Sequence, residues 1–261
     1  MTLHPAPPTT TTTTPHTSGL DRTVLMRLAA TEYDRGVALL TGLDPADWAR
    51  PTDCAGWDVR AMAGHTLGMA EMAASVREGL RQQRAAAKRG GVMIDALTAL
   101  QVQARAQLST DQLLARFVAV GPRAAKARRR IPGLVRRRTM PGEQLVGGRL
   151  ESWTIGFLTD TILTRDPWMH RIDICRATGR PPTLTADHDG VLVADVATEW
   201  AGRHGQACRL HLTGPAGGAW TFGTEGPELE LDAIEFCRVL SGRAAAGSLP
   251  DSNLLSTQVP F

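Results

Sequence analysis

Three residues of the chain have the types and the spacing that metal binding requires. Asp166 and His170 stand four residues apart in a segment with helical periodicity, so their side chains share one helix face, about 5–6 Å apart at Cβ. A carboxylate and an imidazole at that separation can bind one metal ion. His65 lies on the apolar face of another predicted helix and can supply a third ligand. Three nitrogen and oxygen ligands leave a coordination position open, which is typical of catalytic zinc sites.

The same residues also fit structural roles. Asp166 can cap a helix that starts at Pro167, and His170 can be a hydrogen-bonded core histidine. Asp173 either orients His170 as a partner behind the metal or lies at the surface. Cys54, in the loop before the His65 helix, is either a nucleophile or an inert thiol. The spacing alone leaves these alternatives open.

Helical periodicity covers most of the first 180 residues and places the three candidate ligands on two helices. The predicted helices cover about residues 20–41, 58–88, 92–108, 110–117 and 153–178. His65 follows Met62 by three residues and precedes Met69 by four, so it points with the core face of its helix. Pro167 removes one backbone hydrogen bond, which predicts a kink or a helix that starts at Asp166.

The pattern changes after Pro182. A helix over about residues 185–204 is followed by three short strand-like runs, CRLHLTG, AWTFG and ELELD, and by a last helix over 233–240. The sequence therefore predicts an α+β protein, with a helical bundle over residues 19–182 and a small α+β domain over 183–261. Residues 1–18 are rich in proline and threonine and are expected to be a disordered tail.

Composition excludes several classes of protein. Apolar residues make up 43% of the 261 residues, and no apolar run approaches the roughly 20 residues that a bilayer span needs. The N-terminal segment lacks the features of a signal peptide, and the four cysteines form no CxxC pair, so a reducing cytoplasm is the expected location. Phosphate-binding and serine-hydrolase motifs are missing, which argues against nucleotide-dependent and serine-hydrolase chemistry.

The positive net charge of +3 comes from one segment. Eight basic residues and no acidic residue lie between Arg123 and Arg138. No aromatic residue interrupts this stretch, so it offers no platform for stacking bases. A solvated face or loop is the expected role, and nucleic-acid binding is not expected.

Two segments carry the candidate ligands: RPTDCAGWDVRAMAGHTLGMAE contains His65, and TRDPWMHRIDICRATGRPP contains Asp166 and His170. Together they resemble the maleylpyruvate isomerase family of mycothiol-dependent enzymes, which have a DinB-like helical bundle. In that family the first run carries a metal-binding histidine at the position of His65. In the second signature Asp166 matches the carboxylate ligand and His170 the second histidine. The ending, with SGR and VPF, resembles the family's C-terminal domain, where Arg243 matches an arginine that reaches toward the active site.

This resemblance implies a DinB-like four-helix bundle, a sterol-carrier-like C-terminal domain, a divalent metal (zinc by preference) and mycothiol as thiol co-substrate. Mycothiol is a thiol of actinobacteria, and the arginine-rich, lysine-poor composition agrees with that source. The chain departs from the characterised isomerase in having the shorter Asp166 instead of glutamate and in having Pro167 directly after it. Both differences bear on metal geometry and on substrate choice.

The function expected from the resemblance is attack of a metal-activated thiolate on an electrophilic small molecule. The thiolate either adds to a cis double bond and leaves after rotation, as in an isomerase, or remains attached, as in an S-transferase of detoxification or secondary metabolism. Arg243 would anchor a carboxylate of the electrophile. A non-catalytic protein that binds a metal and a small molecule is the alternative. We expect no membrane partner, and we expect the protein to be a monomer or a homodimer.

Overall fold

The computed structural model describes residues 16, 19–245, 247 and 252–261. The tail predicted over residues 1–18 lies outside the described residues, apart from His16. In chain order the elements are α1 (Arg22–Thr41), a 3₁₀ turn (Asp47–Ala49), α2 (Val59–Ala74), α3 (Val76–Arg89), α4 (Met93–Arg105), α5 (Thr110–Arg129), α6 (Gly133–Arg136), β1 (Gln144–Val146), β2 (Arg149–Glu151), a π-helical segment (Phe157–Ile162), α7 (Leu163–Thr178), a second π-helical segment (Ala186–Gly190), α8 (Val191–His204), β3 (Cys208–Thr213), β4 (Gly218–Phe222), β5 (Glu228–Asp232), α9 (Ala233–Leu240) and α10 (Ser252–Leu255).

The helical unit consists of residues 20–132 and 159–184. Helices α1, α2, α5 and α7 form a four-helix bundle, in which α1 and α2 each contact both α5 and α7. Helices α3 and α4 pack against each other and against α2. The bundle core is apolar because the helical periodicity directs one stripe of each helix inward. Its largest buried members are Tyr33, Leu40, Trp48, Met62, Leu67, Leu113, Phe117 and Ile174.

The single helix predicted over residues 58–88 is two helices in the structure, so that prediction is wrong. Ser75 has extended backbone angles, φ −148° and ψ 120°, and its hydroxyl accepts a hydrogen bond from the Glu78 amide at 3.4 Å. A serine in this position ends α2 and caps α3. The chain then turns back along α2, and Gln82 Nε2 donates a hydrogen bond to the Gly68 carbonyl at 3.1 Å.

Helix α5 extends much further than the sequence indicated. It was expected to end near Phe117, but it continues to Arg129 and takes in half of the basic stretch. Ser109 begins the helix through a capping box with Gln112. The expectation of a solvated face or loop is wrong for one member of the stretch, because Arg128 is only 1% exposed. A basic side chain of this stretch is therefore a core residue of the bundle.

The second unit contains the described parts of residues 1–19, 133–158 and 185–261. Its three-stranded sheet has the order β4-β3-β5, with β3 antiparallel to β4 and parallel to β5. Burial alternates along β3, as expected for a strand with one covered face. Trp200 of α8 and Phe236 of α9 lie in the core of this unit with ring centroids 5.3 Å apart. The division of the chain at residue 182 stays a prediction, because compactness alone does not show which segment folds independently.

The α+β class predicted from the sequence is confirmed, since a mainly helical chain carries small sheets late in its sequence. The three strand-like runs after residue 205 are β3, β4 and β5. Within the described residues, none of the helices has both the length and the apolar character to span a membrane.

Candidate metal centre

The structure brings the three predicted ligands together inside the helical bundle. His65 lies on α2, and Asp166 and His170 lie one turn apart on α7, which packs against α2. His65 Nε2 is 3.3 Å from Asp166 Oδ2, and His170 Nε2 is 3.4 Å from Asp166 Oδ1. One ligand atom from each residue lies within 4.8 Å of the other two. Two nitrogens and one oxygen therefore converge on one point, although His65 and Asp166 are 101 residues apart in sequence.

Opposite charges dominate the electrostatics of this cluster. Burial raises the pKa of the Asp166 carboxyl, but the positive charges of His170 and His65 outweigh that effect and hold this pKa well below its usual value. Burial lowers the pKa of His170. The Asp166 carboxylate and hydrogen bonds raise this pKa by more than burial lowers it, so the His170 pKa lies well above its usual value. In the metal-free protein a proton on His170 thus partly compensates the buried carboxylate.

The donor set fits a divalent transition metal. Imidazole and carboxylate ligands suit zinc and its neighbours, and the three residues provide three ligands rather than a closed set of four. His65 Nδ1 is buried and has no hydrogen-bond partner among the described residues, although buried imidazole nitrogens usually have one. This nitrogen is not the one that faces Asp166, so its missing partner concerns the orientation of the His65 ring and not the metal position itself. The fit to a metal rests on the donor set.

Asp173 stands behind His170, on the side away from Asp166. Its Oδ2 is 3.2 Å from His170 Nδ1, and the carboxylate is fully buried. A carboxylate in this position fixes the proton on Nδ1 and leaves Nε2 free to bind a metal. Of the two positions considered from the sequence, the structure gives Asp173 the buried one beside His170.

Cys54 also reaches this carboxylate, with Sγ 3.8 Å from Asp173 Oδ2. Cys54, His170 and Asp173 form a second group of potential ligands that shares His170 with the first.

Trp57 covers the two histidines. Its ring centroid is 5.2 Å from that of His65 and 5.8 Å from that of His170. The loop before α2 is held in shape by hydrogen bonds of 2.9 Å from the amide and the hydroxyl of Thr52 to the Trp57 carbonyl. Gly56, directly before the tryptophan, has a φ of +79°, which non-glycine residues rarely adopt. This loop belongs to the segment on which the sequence resemblance rests, and its tight turn at Gly56 leads directly into Trp57 and the histidine helix.

Trp57 also lines a cleft of about 490 Å³. Helix α2 contributes Ala61 and Gly64 to its wall, and α4 contributes Val102 and Arg105. Ala61 lies four residues before His65, so the two side chains share one face of α2 at adjacent turns. The cleft and the ligand cluster therefore have Trp57 and the first turns of α2 in common.

The helix that carries Asp166 and His170 has an irregular beginning. Backbone of π-helical form over Phe157–Ile162 runs directly into α7. Pro167 lies within α7, and the helix continues from Leu163 to Thr178. Of the two outcomes expected at Pro167, a kink or a new helix, the structure excludes a new helix that starts at Asp166. Because proline has no N–H group, the carbonyl of Leu163 loses its usual helical donor. A buried carbonyl of this kind needs another partner.

Arg128 of α5 supplies that partner. Its Nη1 donates to the Leu163 carbonyl at 3.0 Å, its Nε to the Thr159 carbonyl at 2.6 Å and its Nη2 to the Asp160 carbonyl at 3.2 Å. Further bonds go from Nη2 to Thr164 Oγ1 at 2.6 Å and from Nη1 to the Tyr33 hydroxyl at 3.4 Å, so that these five contacts match the five N–H groups of a guanidinium. Sequence reasoning missed Arg128. The signal in the sequence that could have indicated such a residue is Pro167, because a proline inside a helix leaves one backbone carbonyl in need of a hydrogen-bond donor from outside the helix.

Arg243, the candidate anchor for a carboxylate, lies in the second unit just after α9. It is half-buried, and its backbone amide donates a hydrogen bond to the Arg238 carbonyl at 2.9 Å. The geometry of the helical unit does not include this residue. Its role toward a substrate therefore stays a prediction from the resemblance.

Comparison with known proteins places the chain in a family. The family model described as the mycothiol maleylpyruvate isomerase N-terminal domain matches residues 29–175, which is more than half of the chain and includes all three candidate ligands. The crystal structure of a mycothiol-dependent maleylpyruvate isomerase has a similar fold, with a TM-score of 0.57 and 15% identity over 89% of this chain and 96% of that one. A histidine-to-alanine mutant of the mycothiol-dependent maleylpyruvate isomerase gives a TM-score of 0.53 with the same identity and coverage. No curated protein sequence matches this chain significantly. On the strength of the family model, the chain belongs to the mycothiol maleylpyruvate isomerase N-terminal domain family.

Proposed function

We propose that this protein is a metal-dependent enzyme that uses mycothiol to attack an electrophilic small molecule. The observation that carries the proposal is the convergence of His65, Asp166 and His170 within 4.8 Å of one another, inside the part of the chain that matches the family model. The solved relatives of similar fold are mycothiol-dependent maleylpyruvate isomerases, which supports thiol chemistry at this place in the bundle. Substrate choice and the outcome of the reaction, isomerisation or thiol transfer, are the finer parts of the proposal.

His65 Nε2, His170 Nε2 and an Asp166 oxygen would hold a divalent metal, for which zinc is our preferred candidate. When bound, such a metal favours the deprotonated form of a thiol, which is the nucleophilic form. Asp173 would orient His170 by accepting a hydrogen bond from its Nδ1–H group, which leaves Nε2 with its lone pair for the metal. Trp57 excludes water from one side of the histidine pair, and water exclusion strengthens electrostatic interactions within the site.

The electrophile would approach from the side of the site that the three ligands leave open. The resemblance of the chain's ending to the family's C-terminal domain implies that Arg243 would bind a carboxylate of this molecule through its planar guanidinium. The same thiolate serves a cis-trans isomerase and an S-transferase, so the three ligand residues do not distinguish them. The distinction depends on whether the thiol leaves the adduct.

Elemental analysis and activity together test the proposal. Untagged protein, purified without chelator, should contain about one zinc per chain, as expected for one three-ligand site. His65→Ala should lose this metal. With mycothiol present, the wild-type protein should then either isomerise maleylpyruvate or attach mycothiol to a halogenated electrophile, and the product identifies the class. A protein that binds no metal even after zinc is added would contradict the proposal.

A further inference from the structure

A tight turn joins Cys54 to Trp57 in the loop before α2. The amide of Trp57 donates a hydrogen bond to the Cys54 carbonyl at 3.0 Å, and Gly56 has a φ of +79°. A four-residue turn with a positive φ at its third residue needs glycine there, because other residues rarely adopt that conformation. The hydrogen bond and the glycine therefore hold the first and the last residue of the turn in one fixed arrangement.

Both end residues of this turn contact the candidate metal centre. The Trp57 indole lies beside the rings of His65 and His170, at centroid distances of 5.2 and 5.8 Å. The Cys54 sulfur lies 3.8 Å from Asp173 Oδ2, the same oxygen that is 3.2 Å from His170 Nδ1. The turn thus reaches His170 directly, through an indole, and indirectly, through a carboxylate.

The loop has a second contact with α7, which lies at the surface. Arg176 Nε donates a hydrogen bond to Asp53 Oδ2 at 2.9 Å, and both side chains are partly exposed. Arg176 follows Asp173 by three residues, so the two side chains share one face of α7. Consecutive loop residues, Asp53 and Cys54, therefore contact one helix face, the first at the surface and the second at a buried carboxylate.

The contact of Cys54 bears on how Asp173 meets His170. The Asp173 carboxylate is fully buried, and buried carboxylate oxygens require hydrogen-bond donors. A thiol is a weak donor, but hydrogen bonds are stronger in buried surroundings than in water. A second donor on Oδ2 restricts the rotation of the carboxylate and so keeps this oxygen opposite His170 Nδ1.

We propose that Cys54 is a positioning residue of the metal centre, whose thiol holds the Asp173 carboxylate in the orientation that His170 needs for metal binding. This inference rests on the proposed function, since it assigns a further residue to the same metal centre. Cys54 acts through Asp173, and it neither binds the metal nor attacks the substrate. This role differs from both roles considered from the sequence, a nucleophile and an inert thiol.

Zinc affinity, measured by competition with a chelating dye, tests the inference. Cys54→Ala and Cys54→Val both remove the donor, and valine keeps a side chain of similar size. Both variants should bind zinc about three- to tenfold more weakly, a smaller loss than the roughly 10- to 100-fold expected when a direct partner of a ligand is removed. Circular dichroism verifies that each variant is folded.

Asp53→Ala is the matched control. It removes the surface contact of the same loop with α7 and leaves the contact between Cys54 and Asp173 in place. Because exposed ion pairs contribute little, its zinc affinity should stay within about twofold of wild type. An equal loss in Asp53→Ala and in the Cys54 variants would assign the effect to docking of the loop and would overturn the inference.

A double variant shows whether Cys54 acts through Asp173. Adding Cys54→Ala to Asp173→Asn should lower the zinc affinity by no more than about twofold further, because the carboxylate that the thiol positions is already gone. A thiol that only packs would lower the affinity by the same factor in both backgrounds. Such independent losses would overturn the inference, as would an affinity within about twofold of wild type in both single variants.

Infrared spectroscopy of the metal-free protein tests the contact itself. The S–H stretching band of Cys54, identified by its loss in Cys54→Ala, should move to higher frequency in Asp173→Asn, because an amide is a weaker acceptor than a carboxylate. A band that does not move would overturn the inference. Wild-type protein that binds no zinc would instead contradict the proposed function, and since the infrared band needs no metal, the two failures are distinguishable.

Discussion

Arg128 Nη1 donates a hydrogen bond at 3.0 Å to the carbonyl of Leu163, the group that Pro167 leaves without its helical donor. This relationship joins α5 to the helix that carries two of the three candidate ligands. A buried guanidinium is costly unless its donors are satisfied, and here its hydrogen bonds go to carbonyls and hydroxyls of the irregular segment before Asp166. The Asp160 carbonyl also accepts a hydrogen bond from the Thr164 hydroxyl at 3.1 Å, so the Leu163 carbonyl is the acceptor that depends most on Arg128.

Replacing Arg128 should therefore destabilise the bundle. Arg128→Met should lower the free energy of unfolding by at least about 3 kcal/mol, because each buried acceptor left unsatisfied costs about 1–3 kcal/mol. Denaturant unfolding of the metal-free protein measures this change. Arg129→Met is the control, since the neighbouring side chain is exposed and should have little effect. Equal stabilities of the two variants would contradict the structural role of Arg128.

The ligand assignment predicts that metal and activity are lost together. His170→Ala removes one of three ligands and should reduce both the zinc content and the rate of the mycothiol-dependent reaction to background. His211→Ala, at an exposed histidine of β3, is the matched control and should retain both. Full metal occupancy in His170→Ala would show that His170 is not a ligand.

Asp173 should influence the metal without binding it. Asp173→Asn keeps the shape of the side chain but removes the charge that orients His170, so metal affinity should fall about 10- to 100-fold. Competition with a chelating dye measures this affinity. An exposed acid provides the control, and Asp111→Asn at the start of α5 should leave the affinity unchanged. Identical affinities of Asp173→Asn and wild type would contradict the orienting role.

Metal binding should depend on pH with a definite sign. The pKa of His170 in the metal-free protein lies well above its usual value because of Asp166, so His170 carries a proton at neutral pH that the metal must displace. Affinity should therefore increase as the pH rises, by about tenfold for each pH unit and each proton released. Titrations at pH 6, 7 and 8 would reveal this slope. A pH-independent affinity would show that His170 is not protonated in the metal-free state.

Arg243 should act on the electrophile and not on the thiol. If it anchors a carboxylate, Arg243→Ala should raise the KM of an acidic substrate by about tenfold or more, since charge-assisted hydrogen bonds contribute about 1.5–3 kcal/mol. The KM of mycothiol and the thermal stability should change little. Arg209→Ala, at an exposed position of β3, is the control. An unchanged KM for the acidic substrate would remove the anchoring role.

The sequence by itself determined the class of fold, and it indicated the candidate ligands. Helical periodicity placed His65 on a core face, and the spacing of Asp166 and His170 placed both on one face of a helix, because these relationships depend only on local helical geometry. Alternating and apolar runs also predicted the three strands after residue 205. Local patterns of this kind are visible in any single segment.

Tertiary packing decided what no local pattern contains. Whether His65 meets Asp166 depends on how α2 packs against α7, and the contact of Cys54 with Asp173 joins residues 119 positions apart in sequence. The local pattern also did not show the helix break at Ser75, because this break depends on where α3 can pack. It did not show the burial of Arg128 either, because Arg128 binds a carbonyl that Pro167 frees in another helix. The sequence identifies groups that can bind a metal, but only packing across long separations brings them within reach of one ion.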